Sequence, residues 1–181
     1  MPARQTLPDL WLLSDERNDA ALEAALRRLP RGSGFIYRHY HLADAERVAR
    51  WFELRRIARS RGHLVVLADS ALTAREWGAD GIYGAPRALY PASGLLTLAT
   101  AHDLAEIGLA NRAGADAVVL SPVFATRSHP DVLTLGAARF RLLAAHARMP
   151  VIALGGMTAL TARRLAWSRW AAIDGLSGNK T

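Results

Sequence analysis

The sequence predicts one small α/β domain spanning residues 1–181, a TIM-type (β/α)8 barrel with abbreviated fourth and last helices. Three features predict it. Eight short apolar runs recur along the chain, each bounded by polar or glycine-containing segments. The runs are apolar at successive positions rather than alternate ones, the pattern of parallel strands buried on both faces. Finally, Gly78-Ala79-Asp80-Gly81-Ile82 and Gly114-Ala115-Asp116-Ala117-Val118 repeat one corner: a glycine closes a helix, a polar turn follows, and a strand begins.

The strands are expected at 10–13, 34–37, 64–68, 81–83, 95–99, 117–120, 151–154 and 171–174. After the second, Ala45, Val48, Phe52 and Ile57 form a stripe at helical spacing that Gly62 ends. Asp103 with Glu106 reads as a capping box, opening a helix through Arg112 that stops at Gly114. Two further helices are expected at 137–147 and 159–166. The stretch 85–93 holds two prolines and is too short for a full helix, and the helix after the last strand is expected to be missing. A flavodoxin-like open sheet could use the same elements, but eight strands favour closure, even though 181 residues is short for a barrel.

Composition narrows the function classes. About half the residues are hydrophobic and about a fifth charged, as in an ordinary globular domain. There is no cysteine, which excludes disulfides and thiolate metal sites. No apolar run approaches the roughly 20 residues of a membrane span, and 1–13 lacks the apolar core of a signal peptide, so the expected location is cytoplasmic. The net charge of +7 is carried by arginines scattered over helical stretches, not by one aromatic-interleaved stripe, so no nucleic-acid partner is expected. Trp167 and Trp170 suggest a homodimer interface.

Function in such a barrel is carried by the loops after the strands. Arg38, His39, Tyr40 and His41 follow the second strand, Asp69 the third, Tyr83 and Arg87 the fourth, and Thr100 and His102 the fifth. Ser121, Thr126, Arg127, Ser128 and His129 follow the sixth, Gly155 and Gly156 the seventh, and Gly175 and Ser177 the eighth. Four of the six histidines fall in this set. Gly155-Gly156 opens a helix and reads as a phosphate cradle, with a simple tight turn as the alternative. Thr126 to His129 read as an oxyanion clamp, or as a hydrogen-bonded turn bracketed by Pro122 and Pro130. Asp69 is either a Mg²⁺ ligand or the cap of a helix beginning near Ala71. His102 and His129 are the candidate acid–base groups. No Walker loop, nucleophile elbow or dinucleotide fingerprint is present.

Several segments resemble thiamine phosphate synthases and their thiazole tautomerase relatives: Leu12-Leu13-Ser14-Asp15-Glu16-Arg17, Gly78-Ala79-Asp80-Gly81-Ile82-Tyr83 and Ala101-His102-Asp103-Leu104-Ala105-Glu106. The most specific is Gly114-Ala115-Asp116-Ala117-Val118-Val119-Leu120-Ser121-Pro122-Val123-Phe124-Ala125-Thr126, with Pro150-Val151-Ile152-Ala153-Leu154-Gly155-Gly156-Met157 completing the series. The resemblance implies a barrel that joins an aminopyrimidine pyrophosphate to a thiazole phosphate. In such enzymes Mg²⁺ chelates the departing pyrophosphate while the thiazole nitrogen captures an electron-poor pyrimidine methylene. By resemblance, Thr126, Ser128 and Gly156 match phosphate-holding positions, Thr100 stands for a serine near the pyrophosphate, and Asp69 matches a metal ligand. There are departures. Tyr37-Arg38-His39-Tyr40-His41 replaces a motif whose Arg and Lys bind pyrophosphate, and Ala68 replaces an Asn. The second metal aspartate has no counterpart in Gly84-Ala85-Pro86-Arg87-Ala88, and His129 replaces a lysine. A Mg²⁺ site weakened in this way is expected, with Arg38, His39, His41, Arg127 and His129 available to hold pyrophosphate. The alternatives are a tautomerase-like isomerase using His102, or a non-catalytic phospholigand-binding barrel.

Overall fold

Each apolar run hydrogen-bonds to two neighbours, and the last returns to the first. The structure is a computed structural model that describes residues 6–89, 91–125 and 133–177. Strands β1 (Leu10–Leu13), β2 (Gly34–Tyr37), β3 (Leu64–Leu67), β4 (Gly81–Gly84), β5 (Leu96–Ala101), β6 (Ala117–Leu120), β7 (Val151–Leu154) and β8 (Trp170–Ala172) form a closed, all-parallel barrel in chain order. Closure comes from β1, which pairs Trp11 with Gly34 of β2 and with Ala171 of β8. The open-sheet alternative is thereby excluded.

The strands are apolar throughout because both of their faces are buried. Trp11, Leu13, Ile36, Val66, Leu98, Val119 and Ile152 fill the barrel interior. Their neighbours Leu12, Phe35, Tyr37, Val65, Ala99, Val118 and Ala153 face the surrounding helices. The interior is narrow, and Trp11 claims a large share of it. A Cβ added at Gly34 would lie only 2.1 Å from the Trp11 ring, so the register that pairs these residues requires glycine there.

The helices are α1 (Leu22–Arg28), α2 (Asp44–Ser60), α3 (Ala71–Glu76), α4 (Leu104–Ala113), α5 (Gly136–Ala144), α6 (Ala159–Leu165) and α7 (Asp174–Ser177). A 3₁₀ turn, Pro86–Leu89, joins β4 to β5, and a four-residue helix follows β8 where none was expected. The stripe expected on α2 holds at Ile57 but not at Phe52. Trp51, Leu54, Ile57 and Ala58 are buried, whereas Phe52 is 43% exposed. Indole burial decides the matter, because Trp51 also donates its Nε1–H to the Trp77 carbonyl at 3.0 Å. Asp103 caps α4 by accepting the Glu106 amide (2.9 Å), and Gly114 ends it at φ 66°. Glu106 does not complete the expected box. Its carboxylate takes the His102 amide, one residue earlier (2.7 Å).

Trp167 and Trp170 are used inside the fold. Trp167 packs edge-on against Phe140 (5.0 Å) and donates to the Val151 carbonyl, while Trp170 is buried in β8. Trp170 thus offers no surface to a partner, while Trp167 remains partly exposed. No helix among the described residues is long and apolar enough to cross a membrane.

Two outcomes follow from this packing. Gly34→Ala should destabilise the chain by about 3 kcal/mol or more through overpacking against Trp11; urea unfolding should show a lower midpoint at unchanged slope. His63 is buried, its Nε2–H donates to the Leu26 carbonyl (2.9 Å), and its Nδ1 has no partner. Burial holds this imidazole below its ordinary value of about 6.5, so below that pH the unfolded chain takes a proton that the native ring refuses. Stability should therefore fall as pH drops through about 6.5. The thermal midpoint should decrease on acidification by less in His63→Gln, which keeps a donor for Leu26.

Candidate functional site

The alternation of strand faces sorts the residues at the C-terminal rim. On β2, Gly34 and Ile36 face inward, so Arg38 continues the inward register, while His39 continues the outward register of Phe35 and Tyr37. The contacts agree. Arg38 donates its Nε–H to the Ser14 carbonyl (3.1 Å) and an Nη2–H to Asp15 (2.7 Å), and its amide goes to Ser14 Oγ (2.8 Å). Its charge also acts on Tyr83 of β4, whose phenol burial pushes up to about 12. Arg38 and Tyr83 thus share the inner mouth of the barrel. Burial works against the Asp15 charge, but Arg17 and Arg38 outweigh it and hold that carboxyl below the usual range.

His39 is not a free ligand group. It is 1% exposed, adopts φ 42°, and stacks on Tyr37 at 4.7 Å with His41 tilted over it at 5.0 Å. Both ring nitrogens are engaged, Nδ1 with Ser14 Oγ (2.7 Å) and Nε2 with Asp19 (2.7 Å). Because the Asp19 carboxylate can only accept, the proton of the neutral ring lies on Nε2, and Nδ1 accepts the Ser14 hydroxyl proton. Burial lowers the pKa of His39 despite the Asp19 hydrogen bond, which supports that neutral form. His39 therefore braces Ser14, and through it Arg38, instead of contacting an anion itself. His41 remains exposed.

Asp69 lies on the helix-facing register of β3, beyond Val65 and Leu67. Its Oδ2 accepts Arg47 of α2 at 2.6 Å, and its Oδ1 accepts the Ser70 amide at 2.7 Å. Partial burial would raise its pKa, but the hydrogen bonds from Arg47 and Ser70 hold it below the usual carboxylate range. The cap of α3 is Ser70, which accepts the Thr73 amide (3.1 Å), so Asp69 is not the helix cap. Nor do its surroundings suit the Mg²⁺ that the resemblance implies. That ion needs several oxygen ligands in near-octahedral geometry, yet each Asp69 oxygen already accepts a hydrogen bond, one of them from a guanidinium. No group of three His, Asp or Glu among the described residues could hold a metal.

Thr100 lies within β5, opposite Val119, not in the loop after it; its register is that of inward-facing Leu98. His102 is exposed at the strand's end. Its Nδ1 hydrogen-bonds Glu106 (2.8 Å), which fixes the ring from one side, while Nε2 has no partner among the described residues. Ser177 is 2% exposed and donates its hydroxyl to the Asp174 carbonyl (3.0 Å), so its side chain is spent within α7.

The loops after β6 and β7 are laced together. Val123 and Phe124 donate their amides to the carbonyls of Leu154 (2.9 Å) and Gly155 (3.1 Å). Gly155 and Gly156 sit at φ 101° and 61°. A Cβ on Gly155 would come within 2.8 Å of Pro122, and one on Gly156 within 2.7 Å of the Ala125 carbonyl. Glycine is required twice here, by backbone conformation and by close approach. The pair does not open the helix: α6 begins at Ala159, and Thr158 caps it by accepting the Thr161 amide. Thr126, Arg127, Ser128 and His129 lie outside the described residues, but Ala125, immediately before them, touches Gly156.

Sequence reasoning did not single out Ser14, Asp15 or Arg47. Ser14 and Asp15 directly follow the first strand and would have emerged had the rim rule been applied there. Arg47 reaches the rim from a helix, a position that no strand-end rule finds.

Comparison with known proteins agrees with this architecture. Residues 10–177 match the family model described as thiamine monophosphate synthase. The thiamine-phosphate synthase of Chloroflexus aurantiacus is 30% identical over 156 residues, covering 82% of this chain and 71% of that protein. The thiamine-phosphate synthase of Xanthomonas campestris pv. campestris (strain 8004) is 29% identical over 170 residues, covering 87% and 81%. Among solved structures, a thiamine phosphate pyrophosphorylase from Pyrococcus furiosus superposes with a TM-score of 0.81 over 98% of this chain and 91% of that one. At 23% identity, that likeness concerns the fold. Since the family model covers nearly the whole barrel, from the first residue of β1 to the last of α7, the chain belongs to the thiamine monophosphate synthase family.

Proposed function

We propose that the chain is a thiamine phosphate synthase-like transferase that joins an aminopyrimidine pyrophosphate to a thiazole phosphate in thiamine biosynthesis. The observation that carries this reading is the clasp between the β6 and β7 loops. There a double glycine lies against Pro122 and Ala125, leaving backbone without side chains at the rim where a phosphate can approach its amides. Across the mouth, Arg38 gives the diphosphate half a guanidinium whose planar fork suits phosphoryl oxygens.

In the reaction the thiazole nitrogen forms a bond to the pyrimidine methylene carbon. The bond from that carbon to the diphosphate oxygen breaks, and the electron pair leaves with the diphosphate. Negative charge then concentrates on the departing group. A fixed cation at the inner rim favours that change because its position needs no rearrangement during the step. Ser14, braced by His39, holds the Arg38 backbone in place.

One feature favours a second reading. The His102–Glu106 pair resembles an oriented acid–base group and suits an isomerase of the tautomerase kind.

The purified chain should form thiamine phosphate from both substrates with release of pyrophosphate, and Arg38→Ala should reduce kcat/KM by about 100-fold or more. Failure to form product with both substrates present would overturn the synthase reading. If the chain instead isomerises a thiazole carboxylate phosphate, and His102→Ala abolishes this, the second reading replaces it. Raised melting temperatures with phosphate compounds but no turnover would leave a binding barrel.

A further inference from the structure

We propose that the guanidinium of Arg47, built into the fold, occupies the place at Asp69 that a divalent metal ion would take, and that the chain takes its ligand without such an ion. The part of this that concerns the ligand rests on the transferase reading above; the part that concerns Asp69 does not.

Arg47 reaches from the first turn of α2 to the ends of β2 and β3. Its three nitrogens are all committed. Nη1–H donates to Asp69 Oδ2 (2.6 Å), Nη2–H to the Ala68 carbonyl (3.2 Å) and Nε–H to the Arg38 carbonyl (3.1 Å). Around the guanidinium stand the rings of Trp77 at 5.3 Å, Tyr40 at 5.6 Å and Tyr37 at 6.0 Å, placing the charge within a cage of aromatic rings. The Arg47 side chain is only 11% exposed. The Tyr37 hydroxyl donates to the Arg47 carbonyl (2.8 Å), which also fixes the backbone end of the residue.

This arrangement does two things a metal ion would otherwise do. It neutralises Asp69, and by bonding the carbonyls of Arg38 and Ala68 it ties the two rims together and sets the position from which Arg38 enters the mouth. A dication at Asp69 would have to sit beside a fixed positive charge or displace it. Displacement would strip two rim carbonyls of their donors and leave a guanidinium without its carboxylate in a largely buried position, both costly outcomes. Staying beside it would bring like charges together across a site partly closed to water, where repulsion is poorly screened. Among the described residues no group of three His, Asp or Glu offsets either cost, and the segment after β4 carries Pro86 and Arg87 instead of a carboxylate. Asp69 is thus a positioning residue for Arg47.

The test uses the full chain and two probes. Mn²⁺ is titrated into the protein alone and followed by electron paramagnetic resonance. Inorganic pyrophosphate is added in thermal unfolding experiments with either a chelator or MgCl₂ present, for wild type and Asp69→Asn. No Mn²⁺ should bind the wild type below about 1 mM, the weak end of built carboxylate sites. Pyrophosphate should raise the melting temperature equally in chelator and in MgCl₂. Asp69→Asn should lower the melting temperature by the same amount in both, because what it removes is the partner of Arg47. One tightly bound Mn²⁺ per chain, lost in Asp69→Asn, would overturn the proposal, as would stabilisation by pyrophosphate that appears only with MgCl₂. Should Asp69→Asn fail to fold, the wild-type Mn²⁺ titration still decides. If pyrophosphate stabilises under neither condition, the transferase reading fails while the Mn²⁺ result continues to judge the assignment of Arg47.

Discussion

The hydrogen bonding of β1 to both β2 and β8 is the constraint on which the rest of the structure depends. Once the sheet closes, no strand has a free edge and both faces of every strand are buried. The inward face must fit a narrow interior, which explains the pairing of Trp11 with Gly34. The outward face must bind a helix. Beyond the last residue of each strand the same alternation continues into the rim, sending Arg38 toward the mouth and His39 and Asp69 toward the helices. A residue at the rim therefore acquires its role from whether it continues the inward or the outward register, as much as from its chemistry.

Arginines fasten one side of this rim. Arg50 on α2 serves Asp19, Glu23 and Glu53 together, Arg47 serves Asp69, and Arg38 serves Asp15. These pairs fasten α2 and the turn after β1 to the ends of β2 and β3. Guanidinium suits the task because it donates to carboxylates and carbonyls at once and lies flat against aromatic rings. These three arginines face five carboxylates, so the net charge of +7 arises elsewhere in the chain.

Much of the fold was legible in the sequence because buried parallel strands carry a signal that does not depend on their neighbours. β1, β2, β6 and β7 fall where their apolar runs do. β5 runs two residues past its expected end, through Thr100 and Ala101, because pairing with Val119 and Leu120 of β6 extends it beyond the apolar segment. The helix face of α2 was misread because periodicity alone cannot choose between adjacent aromatics, and the hydrogen bond of Trp51 to Trp77 that decides the matter joins distant segments. The site was less legible for the same reason. Listing residues after strands named Arg38 and Gly156, but it could not see that His39 is enclosed by Ser14 and Asp19, that Ser177 is bonded to its own helix, or that an arginine from α2 holds Asp69.

The central claim is that the clasped β6 and β7 loops and the inward-facing Arg38 make opposite walls of one anion-binding mouth. A crystal structure of the chain with the thiazole phosphate tests this most directly. The phosphate should sit with its oxygens about 3 Å from the Gly156 amide and from side chains of the Thr126–His129 segment, facing Arg38 across the mouth. A phosphate bound away from that rim, with the Gly155–Gly156 turn packed only against Pro122 and Ala125, would contradict it.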